Sequence, residues 1–119
     1  MCKLFIQADS QLWQSSTRSL RIDGMVTSIR LENSFWGILE EIAKRDDLQV
    51  PQMITRLYHE SIDAGHDMGN FTSFLRVCAM RYVSLQVHGQ ISSDISTPIN
   101  TLNADEILLN EKLINQAKH

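Results

Sequence analysis

Two short runs near the N-terminus alternate between apolar and polar side chains, which is the pattern of half-buried strands. The runs are Ser19–Ile22 and Met25–Leu31. The Asp23-Gly24 pair between them suits a tight hairpin, since a type I′ turn needs a positive φ at both central positions. A looser connection between two strands is the alternative. Residues 2–8 alternate more weakly and predict a further strand.

The second run has two different faces, because successive side chains of a strand point to opposite sides. One face is mostly apolar and is expected to point inward: Thr27, Ile29 and Leu31. The opposite face is expected to point outward: Val26, Ser28 and Arg30.

Four later segments carry apolar side chains at helical spacing. They predict a first helix over about 34–45, a second over about 49–64, a third over 71–87 and a last amphipathic helix over 104–117. Residues 89–100 are rich in Ser, Thr, Gly and Asp, which predicts a linker. Charged side chains on the helices are expected to face water: Glu40, Glu41, Lys44, Arg45, Arg76 and Arg81.

Residues that start or end helices support these limits. Candidate caps are Asp9 or Ser10 for a turn or short helix at 8–13, then Asn33 or Ser34, Asn70 and Asn103. Pro51 is tolerated in a first turn, where its missing N–H needs no partner. Gly65 can take the left-handed conformation that ends a helix. Gly37, inside the first helix, costs about 1 kcal/mol relative to Ala and indicates close packing there.

A single strand followed by two helices is too little to fold alone, and its own two helices offer the strand no partner. Pairing antiparallel with the same strand of a second chain supplies one, and both pairs of helices then pack on the inward face. This interpretation predicts a homodimer. The expected dimer core comprises Ile29, Leu31, Phe35, Leu39, Ile42, Ile54, Leu57 and Tyr58. Trp36 is likewise expected in the core or the dimer interface.

The segment from Met25 to about Ala64 resembles the ribbon-helix-helix family of DNA-binding proteins. The resemblance rests on Thr27-Ser28-Ile29-Arg30-Leu31, then Phe35 and Leu39, Leu48, and Met53-Ile54. A wider similarity, over about residues 1–87, is to an uncharacterised bacterial subfamily of ribbon-helix-helix domain proteins. It rests on Arg18-Ser19-Leu20-Arg21-Ile22-Asp23-Gly24, on Ser34-Phe35-Trp36 and on the third helix.

The resemblance implies a mainly α fold with a short N-terminal β ribbon, forming a ribbon-helix-helix dimer with an added third helix and a C-terminal helix. The predicted segments are an N-terminal strand or hairpin extension (1–24), the ribbon-helix-helix core (25–65), the third helix (66–88), and the linker with the C-terminal helix (89–119).

The resemblance also implies which residues meet DNA. The family's outward strand positions fall on Val26, Ser28 and Arg30, which are expected to contact bases in the major groove. The family's phosphate site is the start of the second helix, where N–H groups and the helix dipole meet an anion. The phosphate-contacting residues expected here are Gln49, Val50 and Gln52, with Arg18 and Arg21 from the preceding strand.

Three functions follow from this interpretation. The leading one is a sequence-specific DNA-binding transcription regulator, a repressor, acting as a dimer or a pair of dimers. The second is an antitoxin-like protein whose tail, residues 103–117, binds a protein partner. The third is a dimerisation or scaffold module that no longer binds DNA.

Charge favours DNA binding only locally. The chain of 119 residues has a formal net charge of −3, whereas nucleic-acid-binding domains are usually basic. Residues 1–31 nevertheless carry four basic side chains, Lys3, Arg18, Arg21 and Arg30, against the two acidic ones, Asp9 and Asp23.

Candidate chemistry is otherwise sparse. Cys2 and Cys78 are expected to be free thiols in a reducing cytoplasm, with Cys78 buried on an apolar helix face. His59, His66, His88 and His119 form no metal-ligand spacing with either cysteine. We therefore expect no metal, no cofactor and no enzymatic activity. No apolar run is long enough to predict a membrane helix.

Overall fold

The computed structural model describes residues 2–118; Met1 and His119 lie outside the described residues. A short helix, α1 (Lys3–Ile6), precedes two strands, β1 (Ser15–Ile22) and β2 (Met25–Glu32). Four longer helices follow: α2 (Asn33–Arg45), α3 (Val50–Asp63), α4 (Phe71–Val87) and α5 (Ala104–Lys118). Short 3-10 turns lie at Ser10–Leu12 and Met68–Asn70.

The strands form an antiparallel hairpin around Asp23 and Gly24, which have φ angles of 53° and 79°. Both central turn residues are thus in the left-handed region, as a type I′ turn requires. The predicted hairpin is confirmed. β1 begins at Ser15, four residues before the predicted run.

The hairpin gives β2 a strand partner within its own chain. β2 pairs with β1 along its whole length, from Ser15 opposite Glu32 to Ile22 opposite Met25. The predicted antiparallel pairing of β2 with the same strand of a second chain stays a prediction, because β1 occupies only one edge of β2.

The inward faces of both strands lie in the main core. Leu20, Ile22, Ile29 and Leu31 are at most 6% exposed and pack against α2, α3 and α4. Other fully buried core side chains are Trp36, Leu39, Ile54 and Leu75. Of the residues expected to form a dimer core, four are thus buried within one chain: Ile29, Leu31, Leu39 and Ile54. Four are partly buried against the same core: Phe35, Ile42, Leu57 and Tyr58.

The N-terminal segment differs from the prediction. Residues 3–6 form α1 instead of a strand, and all four side chains are exposed. The turn after it is confirmed, with Asp9 accepting a hydrogen bond from the backbone N–H of Gln11 at 2.9 Å.

Neither predicted cap of the first long helix acts as one. The N-cap of α2 is Glu32. The side chain of Asn33 donates to the carbonyl of Gln11 at 2.9 Å, and that of Ser34 donates to the carbonyl of Leu12 at 2.7 Å. Both side chains therefore tie the N-terminal segment to the start of α2.

The later helices begin close to the predicted positions. Gln49 is the N-cap of α3, with Pro51 in the first turn, and Gly65 follows the helix with a φ of 77°. Asn70 precedes α4, and Asn103 caps α5 by accepting from the N–H of Glu106 at 3.1 Å.

The predicted linker has no helix or strand, yet it is tied to the end of α2. Arg45 is only 4% exposed and donates to the carbonyls of Ser92 and Thr97, at 2.9 and 2.8 Å. The carboxylate of Asp46 accepts from the backbone N–H of Ile99 at 2.7 Å. The expectation that Arg45 faces water is wrong, because the loop folds over its guanidinium.

Other side chains expected in water also bind within the chain. Glu41 accepts a hydrogen bond from the Tyr82 hydroxyl at 2.6 Å. Arg76 binds Glu32 at 2.8 Å, and Arg81 donates from Nε to Glu111 at 2.9 Å. The last pair holds α5 against α4. The guanidinium of Arg81 keeps the pKa of the Glu111 carboxyl below its usual value.

Within residues 2–118, no helix combines the length and the apolar character needed to span a bilayer. The predicted division into segments 1–24, 25–65, 66–88 and 89–119 stays a prediction.

Candidate nucleic-acid interface

The outward face of the hairpin is a small, exposed and mostly polar surface. Residues that lie opposite each other in an antiparallel pair point to the same side of the sheet. The register places Thr17 opposite Arg30, Ser19 opposite Ser28, and Arg21 opposite Val26. All six side chains are exposed. We call this set the outer ribbon face.

The apolar inner face fixes this orientation. A shift of either strand by one residue would expose Leu20, Ile22, Ile29 and Leu31 and bury the arginines. Burial of those four side chains is therefore what directs Arg21 and Arg30 outward. The structure thus brings together four sequence-predicted contact residues: Arg21, Val26, Ser28 and Arg30.

The outer ribbon face has the chemistry of a hydrogen-bonding surface with positive charge. Arg21 and Arg30 carry donors only, whereas the hydroxyls of Thr17, Ser19 and Ser28 both donate and accept. Within the described part of the chain, neither arginine takes part in an ion pair. Their guanidinium groups are thus available to an anion or a base edge.

The two nearest carboxylates are engaged elsewhere. Asp23, at the turn, lies 3.0 Å from Nε2 of His59 on α3. Glu32, at the end of β2, binds Arg76 of α4, and this hydrogen bond lowers the pKa of the Glu32 carboxyl. Arg76 thereby offsets the negative charge that follows Arg30 on the same side of β2.

Arg18 lies on the opposite side of the hairpin from Arg21 and Arg30. It is paired with Ile29, an inward residue, and its guanidinium is 4.5 Å from the centre of the Trp36 ring. It also binds the carboxylate of Glu40 at 2.6 Å. The structure therefore does not bring Arg18 together with the other predicted contact residues.

The start of α3 is built as a self-capped helix end. The backbone N–H of Gln49 donates to the side-chain oxygen of Gln52 at 2.9 Å, and Val50 is buried at 7% exposure. The contact that joins α3 to the hairpin turn is made by His59, nine residues later and roughly 13 Å along the helix. The predicted phosphate residues Gln49, Val50 and Gln52 thus lie at the other end of α3 from that contact.

Two members of the outer ribbon face, Thr17 and Ser19, were not among the predicted contact residues. The inner-face positions that alternate with them at the start of β1 are Ser16 and Arg18. Because these are polar, no apolar alternation marks the first half of β1. The Asp-Gly turn was the available signal, since counting back from it gives the partner of each β2 residue.

Comparison with known proteins agrees with this architecture. The profile of the family described as ribbon-helix-helix domain matches residues 15–83, from the start of β1 into α4. A similar solved structure is that of an uncharacterized protein from Bordetella pertussis Tohama I, with 48% sequence identity and a TM-score of 0.86. The similarity covers 90% of this chain and 86% of that one. The comparison with curated proteins found no match. Sequence profile and fold together show that the chain belongs to the ribbon-helix-helix domain family.

Proposed function

We propose that this chain is a sequence-specific DNA-binding transcription regulator, a repressor, that places its outer ribbon face in the major groove. Members of the family are generally DNA-binding transcription regulators or antitoxins. The observation that carries the proposal is the outer ribbon face itself, on which two arginines without ion-pair partners in the described chain stand among three hydroxyls. A two-stranded ribbon is narrow enough to enter the major groove of B-DNA.

The side chains of the face make three kinds of contact in this proposal. Arg30 and Arg21 donate two hydrogen bonds each to O6 and N7 of guanine, an interaction worth about 1–3 kcal/mol of discrimination. Ser28 and Ser19 donate or accept at a base edge or a phosphate. Val26 has no hydrogen-bonding group and can contact only the methyl group of thymine. It therefore favours a T·A pair but does not exclude the other base pairs.

Phosphate contacts add affinity without sequence information. We propose that the start of α3, at Gln49, Val50 and Gln52, lies along the DNA backbone. Because Gln52 caps Gln49 within the helix, this contact is expected to be weaker than that of an uncapped helix end.

A single outer ribbon face covers only a few base pairs. We therefore propose that the regulator acts in the cytoplasm as a homodimer that presents two such faces to a two-fold or repeated DNA site. Its affinity should fall steeply with salt, because each neutralised phosphate releases counterions.

The test is selection of random duplex DNA on the purified full chain at near-physiological salt. Wild type should enrich a two-fold or repeated motif, and Arg30→Ala should lose it. Lys112→Ala removes the same charge from an exposed position on α5 and should retain the motif. If the wild-type chain enriches no motif, sequence-specific DNA binding is refuted and a scaffold role is favoured.

An antitoxin-like role is the second candidate, favoured by exposed leucines on α5. Leu109 and Leu113 are 59% and 56% exposed, although the same helix is held to the chain by Glu111, which binds Arg81, and by Asn110, which donates to Gln90. A small protein encoded beside this gene would be the partner to test by titration calorimetry. Binding that is lost in Leu109→Glu would support this role, and no heat of binding would exclude that protein.

A further inference from the structure

A cavity of about 380 Å³ lies between α2, α3, α4 and the segment 89–100. Its buried lining residues are apolar or aromatic: Leu39, Ala43, Met53, Tyr82, Leu85 and Ile91. Its exposed lining residues are polar: Arg56, Glu60 and Asn100. An apolar interior with a few polar groups at the opening is the usual form of a small-molecule site, and such sites occupy about 300–1,000 Å³. The cavity is at the small end of this range, which suits a single small metabolite.

Buried polar contacts hold one wall of the cavity in place. The side chain of Arg45 donates to the carbonyls of Ser92 and Thr97. The carboxylate of Asp46 accepts from the backbone N–H of Ile99, which itself lines the cavity. The segment 89–100 is therefore fixed against α2, and a ligand meets a site that needs little further ordering.

Four charged residues line the cavity, and two of them are engaged within the chain. Arg81 binds Glu111 of α5, and Asp46 holds the backbone of the segment 89–100. The other two, Arg56 and Glu60, lie one turn apart on α3. Within the described part of the chain, neither of them takes part in an ion pair. One cation and one anion are thus available at the opening of the cavity.

We propose that this cavity binds a free aromatic amino acid. Its carboxylate binds the guanidinium of Arg56, its ammonium binds the carboxylate of Glu60, and its ring enters the apolar interior. Side chains four positions apart on a helix are neighbours, with roughly 5–6 Å between their Cβ atoms, so one small zwitterion can meet both. Met53 and Cys78 also line the cavity. Their sulfur atoms favour an aromatic ring, because sulfur makes favourable contacts with ring edges.

The helix that binds the ligand also reaches the hairpin. His59 lies between Arg56 and Glu60 in sequence, and its Nε2 is 3.0 Å from the carboxylate of Asp23 at the hairpin turn. A bound amino acid therefore contacts α3 within one turn of the residue that meets the hairpin. In a DNA-binding regulator such a ligand is an effector. That consequence rests on the proposed function, whereas the site itself does not.

The experiment is isothermal titration calorimetry of the full chain without DNA, with L-phenylalanine as the probe. Wild type should bind it more tightly than 3-phenylpropanoate, which lacks the ammonium, and than phenethylamine, which lacks the carboxylate. Arg56→Gln and Glu60→Gln should each weaken binding by roughly tenfold or more, since each removes a charged hydrogen-bonding partner. Lys112→Gln removes an exposed charge from α5 and should bind like wild type. All three substitutions are at exposed positions, so the melting temperature without ligand should hardly change.

Alkylation of the two cysteines locates the bound ligand. Cys78 lines the cavity, whereas Cys2 is exposed and outside it. Saturating L-phenylalanine should slow the reaction of Cys78 with iodoacetamide and leave that of Cys2 unchanged, as measured by peptide mass spectrometry. The reaction is run at mildly alkaline pH, because burial raises the pKa of the Cys78 thiol.

Two sets of results would overturn the proposal. No heat of binding up to about 10 mM L-phenylalanine, or an unchanged reaction rate of Cys78 at saturation, would overturn the site. Equal affinity for the amino acid, the acid and the amine, or unchanged affinity in Arg56→Gln and Glu60→Gln, would overturn the zwitterionic ligand. Since no DNA is present, none of these results depends on the proposed function.

Discussion

Arg76 binds both carboxylate oxygens of Glu32, from Nε to Oε1 at 2.8 Å and from Nη2 to Oε2 at 3.3 Å. The contact joins α4 to the residue where β2 ends and α2 begins. Three elements are therefore held together at one carboxylate. The same hydrogen bond lowers the pKa of Glu32 from its ordinary value of 4.5.

This pair makes stability depend on acidity in a defined direction. The folded chain binds a proton at Glu32 less readily than the unfolded chain, so the contribution of the pair is full above pH 4.5. It is lost as the pH falls through the lowered pKa of the folded state. We expect Glu32→Gln to lower the urea midpoint at pH 7 and to differ progressively less from wild type below pH 4.5.

The partner residue provides the control for this prediction. In an Arg76→Gln background, Glu32→Gln should have little further effect at pH 7, because the hydrogen bond has already been removed. An undiminished effect of Glu32→Gln in that background would show that the carboxylate stabilises the chain by another route, for example at the start of α2.

Substitutions at Arg30 and Arg18 should have separate effects, the first on DNA binding and the second on the stability of the fold. Arg30 is exposed on the outer ribbon face, so Arg30→Ala should cost about 1–3 kcal/mol of discrimination between base pairs and hardly change the melting temperature. Arg18 lies over Trp36 and binds Glu40, so Arg18→Ala should lower the melting temperature and leave DNA discrimination unchanged. Fluorescence anisotropy on the selected and scrambled duplexes, with calorimetric melting, measures both quantities. Loss of discrimination in Arg18→Ala at equal folding would contradict the assigned face.

Periodicity predicted much of this fold because its strongest signals are local. The Asp23-Gly24 turn defines the hairpin, and Gly65 follows the end of α3, since both depend on backbone conformations that few residues adopt. The start of β1 was not predicted, because Ser16 and Arg18 place polar side chains on its inner face. Local pattern carries no information about such positions.

The candidate site was predicted where it depends on strand alternation and missed where it depends on tertiary contacts. Val26, Ser28 and Arg30 are outward because Ile29 and Leu31 are inward. Helical spacing alone does not distinguish a surface arginine from one that a distant segment covers. Arg45, covered by residues 92–97, shows this most clearly.

Arg45 should hold the segment 89–100 in place. Its guanidinium donates to Tyr82, Ser92 and Thr97, and the side chain is 4% exposed. Arg45→Ala leaves these oxygens without their donor, so the free energy of unfolding should fall by about 2–4 kcal/mol. Amide hydrogen exchange should accelerate over residues 91–100. Lys44→Ala removes a neighbouring exposed cation and should change neither the free energy of unfolding nor the hydrogen exchange. Equal exchange rates in the two variants would argue against this role of Arg45.

Two glycines should respond in opposite ways to the same substitution. Gly24 has a φ of 79°, where a side chain is strained, so Gly24→Ala should destabilise the chain by about 1–2 kcal/mol. Gly37 is exposed inside α2, and a Cβ there would meet nothing within 4 Å apart from its chain neighbours and the backbone of its own helix, so the close packing expected at this position is absent. Gly37→Ala should therefore stabilise the chain by up to about 1 kcal/mol.

Urea unfolding of both variants measures the two changes. A stabilising Gly24→Ala would contradict the type I′ turn, and with it the register that places Arg21 and Arg30 on one face.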